Sequence, residues 1–76
     1  MELQDGETKL FVVFLVIAYF KGLPYARPIG IETASTFFEA EGKVGKRWTG
    51  LLEVYPWDSV STSMRASAIK RDREIL

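Results

Sequence analysis

From Leu10 to Phe20 every residue is apolar apart from the Tyr19 hydroxyl. Neither the two-residue period of a half-buried strand nor the 3.6-residue period of an amphipathic helix breaks the run. Three Val, one Ile and three Phe suit a pleated surface better than a helix. The segment therefore predicts a strand covered on both faces. In a short chain that cover is scarce, so one face is expected to pack on the rest of the subunit and the other on a helix or a second subunit. As a helix the run would rise only about 16 Å, roughly half a bilayer's hydrocarbon thickness. With Lys9 and Lys21 bracketing it, no membrane span is expected.

The pattern after this run is less regular. Residues 21–30 contain two Gly and two Pro and read as a loop or an irregular edge. Residues 31–42 fit two periods. A helix would place Ile31, Ala34 and Phe38 on one stripe, with Gly42 just past its end. Thr36 and Glu39 have capping-box spacing, but a start there leaves few residues before Gly42. A strand would set Phe38 and Ala40 against Phe37, Glu39 and Glu41. Acidic residues at a helix end oppose its dipole, so the strand reading is taken. Residues 43–46 then form a turn, and residues 47–55 alternate as a half-buried strand, with Trp48, Leu52 and Val54 on the apolar face. That strand would pair with residues 34–42 in a hairpin.

Pro56-Trp57-Asp58-Ser59 ends the alternation. A helix beginning with Asp58 or Ser59 as N-cap would bring Val60, Met64, Ala68 and Leu76 near one stripe. The serines favour a loop through about residue 61 and a helix beyond it. The predicted architecture is one α+β domain spanning residues 1–76: a small antiparallel sheet of three to four strands with a C-terminal helix. A small all-β barrel is the alternative. No repeat or linker divides the chain.

Length sharpens this picture. A domain of 76 residues buries only about 60% of the surface its unfolded chain exposes. The usual supplements are disulfides, metals and oligomerisation. The chain has neither Cys nor His, so disulfides, thiolate sites and imidazole ligation are excluded and no cofactor or metal is expected. Self-association remains. The acidic start, Met1 to Glu7, is unlike the basic head of a secretory signal, and a cytoplasmic location is expected. Net charge is zero, but residues 1–42 carry three basic and six acidic side chains, and residues 43–76 seven and four. Such asymmetry suits two halves that attract each other or a second copy.

Candidate chemistry is sparse. A Ser-His-Asp mechanism needs an imidazole. Ser59, Ser61, Ser63 and Ser67 precede Lys70, but nothing in the pattern desolvates that lysine. Glu39 with Glu41, and Glu53 with Asp58, lack surroundings that would separate their pKa values. Gly42-Lys43-Val44-Gly45-Lys46 fails the spacing of a phosphate loop. The expectation is a protein without catalytic activity. Aromatic and basic residues supply the remaining signal: Tyr55, Trp57, Arg47, Arg65, Lys70 and Arg71 make the candidate binding set. Alternation puts Trp48 toward the core and leaves Trp57 as the exposed ring. Such residues suit protein interfaces and also stack single-stranded nucleic acid. Zero net charge favours a protein partner or self over nucleic acid. The function expected is a protein-binding or assembly module acting as a homo-oligomer, with a small nucleic-acid-binding domain as the alternative.

Overall fold

The apolar run is the central strand of a three-stranded antiparallel sheet. A computed structural model describes residues 7–75. The acidic start, residues 1–6, and Leu76 of the expected helical stripe lie outside them. Strand β1 (Lys9–Phe20) is followed by β2 (Leu23–Ala34), helix α1 (Phe37–Arg47), β3 (Leu52–Pro56), a single 3₁₀ turn at Trp57–Ser59, and helix α2 (Thr62–Ile75). The strand order is β2-β1-β3. The class is α+β with an open sheet and a C-terminal helix, and the barrel alternative is set aside.

Both faces of β1 are covered, but only over part of its length. Phe11 to Phe14 and Val16 are buried, with Val12 and Val13 wholly so. Val12 and Phe14 pack with Val60 and Ala68, flanked by Ala26, Ile31 and Trp57. This half-core lies under α2. Phe11 packs on the opposite face with Ala34 of β2 and Ala40 of α1, flanked by Val54. Two helices of the same chain thus supply the cover that a second subunit was also able to provide. From Ile17 to Phe20 the strand is exposed.

Four expectations are corrected. Residues 21–30 are not a loop: Lys21 and Gly22, at φ 54° and 81°, make a two-residue turn, and β2 begins at Leu23. A turn with both central residues left-handed matches the strand twist. Pro24 and Pro28 are tolerated because β2 is an edge strand, where a missing N–H faces outward. Ile29 is an extra residue between the pairs Val13–Gly30 and Phe14–Pro28, a bulge that absorbs the irregularity.

Residues 31–34 finish β2, and Phe37–Arg47 is a helix rather than strand and turn. Thr36 accepts a hydrogen bond from the Glu39 amide at 3.1 Å, and Glu39 accepts one from the Ser35 amide at 2.8 Å. The capping signal is therefore genuine. The helix continues through Gly42 and Gly45, so Glu39 sits in its first turn and Lys46 and Arg47 in its last. Its charges favour the dipole.

The predicted hairpin of residues 34–42 with 47–55 consequently does not form. β3 is shorter, starts at Leu52, and pairs with β1 from Phe11–Pro56 to Leu15–Leu52. Trp48 and Thr49 belong to the connection. Finally, α2 begins where expected, but Ser61 caps it, accepting from the Met64 amide at 3.3 Å. Asp58 and Ser59 lie in the preceding 3₁₀ turn.

Candidate functional site

The β2 edge beside the helices differs in chemistry from the hairpin beyond them. On β2, side chains from both helices occupy the outward backbone groups. The Ile31 amide donates to Asp72 Oδ1 at 3.2 Å. Arg47 Nη1 donates to the Ile31 carbonyl at 3.3 Å, and Lys43 Nζ to the Thr33 carbonyl at 2.9 Å. Arg47 also bridges Glu32 at 3.5 Å and Asp72 at 3.3 Å, and its guanidinium lies 4.4 Å from the Trp48 ring centre. Gly30 makes room for this arrangement: a Cβ there would lie 2.5 Å from Trp48 Cζ2 and 3.1 Å from Asp72 Oδ1. The clasp blocks another strand from adding at this edge.

Beyond the helices the β1–β2 hairpin continues as a free arm. β3 pairs no further than Leu15, and its last link to β1 is the Val16 amide donating to the Leu51 carbonyl at 2.9 Å. Ile17 is an extra residue between the pairs Val16–Ala26 and Ala18–Tyr25. Since Ala26 packs under α2, the next pair faces the other way. One face of the arm therefore carries Ala18, Phe20, Leu23 and Tyr25, and the other Tyr19 and Pro24. Phe20, Leu23 and Tyr25 expose 71%, 70% and 66% of their surface, Tyr19 60% and Ile17 48%. Lys21 and Arg27 are the arm's charges. The molecule is correspondingly elongated, 47 × 24 × 23 Å.

The residues predicted from sequence fall in two places. Tyr55, Trp57 and Arg65 gather where the sheet meets the start of α2. Tyr55 packs edge-on against Phe14 at 5.4 Å and donates its hydroxyl to Glu53 Oε1 at 3.0 Å. That bond to the carboxylate, then partial burial and the negative charge of Glu53, hold the Tyr55 phenol above its ordinary pKa. Arg65 lies 5.1 Å from the Trp57 ring and donates to the Trp57 carbonyl at 2.9 Å. Trp57 is partly buried against the core, as Trp48 is partly buried in the connection, so the expected contrast between the two rings is not found. Arg47 belongs to the β2 clasp, and Lys70 and Arg71 lie on the second half of α2. A groove of about 310 Å³ runs beside Tyr55, lined by Phe14, Pro24, Glu53, Val60 and Met64 among others.

Sequence reasoning missed the arm. Its signal was present in the exposed half of the apolar run and in the Lys21-Gly22 turn, but reading residues 21–30 as a loop concealed the second strand. Among the described residues no group of three or more potential metal ligands converges, and no helix is long and apolar enough to cross a membrane. Comparison with protein-family models, curated proteins and solved structures finds no match to this chain.

Proposed function

We propose that this protein is a non-catalytic assembly module that works as a homo-oligomer, with the β1–β2 arm as its docking surface. The observation that carries this reading is the contiguous apolar arm, exposed on both faces and nearly free of charge. One arm offers on the order of 500 Å² of exposed apolar side chain, at the upper end of what monomeric proteins leave uncovered. A contact between two arms would cover only part of this surface on each copy, the size class of weak, reversible association. The predicted basic and aromatic set supports nucleic-acid binding less well, because Arg47 and Arg65 are engaged within the molecule.

Absolute mass by light scattering across a concentration series tests the proposal. The expected result is a monomer–dimer equilibrium with a dissociation constant on the order of micromolar. The double variant Phe20→Ser, Leu23→Ser should remain monomeric with an unchanged circular dichroism spectrum. A wild-type monomer at every concentration would overturn the reading.

A further inference from the structure

The backbone of the arm specifies how two copies would meet. A two-residue turn makes its flanking residues, here Phe20 and Leu23, a hydrogen-bonded pair. The next pair, Tyr19 with Pro24, is then non-hydrogen-bonded, and Pro24 indeed has no N–H to give. This alternation turns the Tyr19 N–H and C=O away from β2. On that side β3 has already ended, since its last bond is to Val16. Ile17 to Phe20 thus form an open strand edge with no charge and no proline. The opposite edge carries Pro24, Arg27 and Pro28, and then the clasp at Ile31 and Thr33. Proteins guard strand edges with charge, proline or cover, and of the arm's two edges this one is unguarded.

We infer that two copies join by antiparallel pairing of their β1 edges at Ile17–Phe20, around a two-fold axis through Tyr19. This deepens the assembly reading and rests on it. Each Tyr19 amide donates to the Tyr19 carbonyl of the other copy, and Ala18 of one copy lies opposite Phe20 of the other. The turn of each arm then reaches the Ile17 of the other copy, where β3 has vacated the row beside β1. The open edge is four residues, about 13 Å, so the incoming arm fits between the end of β3 and the turn. The resulting sheet continues through both copies. A two-fold interface of this kind closes on itself and leaves the arm edge with no site for a third copy.

The chain has no Cys, so engineered thiols report the register directly. Full-length Ala18→Cys and Phe20→Cys proteins are mixed in equal amounts, shown by light scattering of the reduced mixture to associate as the unmodified protein does, then oxidised mildly and analysed by intact mass. Opposed positions of a non-hydrogen-bonded pair have Cα atoms about 4.5 Å apart, within disulfide reach. The expected product is the mixed 18–20 disulfide, at least several-fold above either homodisulfide. Dimeric protein that yields mainly homodisulfides, or none, would overturn the edge pairing while leaving the assembly reading intact. Protein that stays monomeric would overturn both.

Discussion

Thr36 and Gly30 do different work at the two ends of the same segment. The Thr36 hydroxyl satisfies the Glu39 amide in the first turn of α1, so Thr36→Ala should lower stability by about 1 kcal/mol, measured by urea unfolding. Gly30 is needed for space rather than for a left-handed backbone. A methyl group there meets the Trp48 ring and the Asp72 carboxylate, so Gly30→Ala should destabilise by about 1–3 kcal/mol through overpacking, again read from the urea midpoint. Tyr55 gives a pH-dependent test. Its phenol is raised because the neutral form donates to Glu53. The associated stability is complete below the ordinary tyrosine value of about 10 and is lost as pH rises through the higher folded value. Glu53→Gln should move the Tyr55 titration, followed by phenolate absorbance, back toward that ordinary value.

The helix α1 is the element on which local pattern and structure part company. Gly42 reads as a stop, and with the helix ending there Glu39 and Glu41 fall at its wrong end for the dipole. Once it runs to Arg47, the same charges fall at the right ends. Burial of Ala40 and Val44 holds the helix through two glycines, a contribution from tertiary packing that local propensity does not contain. A methyl group at Gly42 or Gly45 would meet nothing within 4 Å, and neither residue takes positive φ. Gly42→Ala and Gly45→Ala should therefore each stabilise by about 0.5–1 kcal/mol, visible as a rise of several degrees in Tm. β1 and the start of α2 were legible because long apolar runs and helix-forming stretches report themselves. β2 was not, because prolines permitted on an edge strand look the same in sequence as prolines in a loop. The arm was half legible: its apolarity was plain, but its exposure depends on where β3 stops.

At the scale of the whole molecule, β1 divides the interior into two half-cores, one under each helix, and the clasp at the β2 edge ties them together. Arg47 from the end of α1 meets Asp72 from α2 across the strand. Asp72→Ala should leave the exposed arm unaltered but open the Ile31 amide, so the variant should aggregate faster on incubation near its melting temperature, as followed by light scattering. The pieces of this clasp are far apart in the chain: Ile31 and Asp72 are separated by 41 residues. At a synthesis rate of roughly 5–20 residues per second, the strand emerges about 2–8 s before the carboxylate that guards it. During that interval the Ile31 amide of a nascent chain lacks its partner, so part of an edge that the finished protein covers is briefly open to a strand of a neighbouring chain.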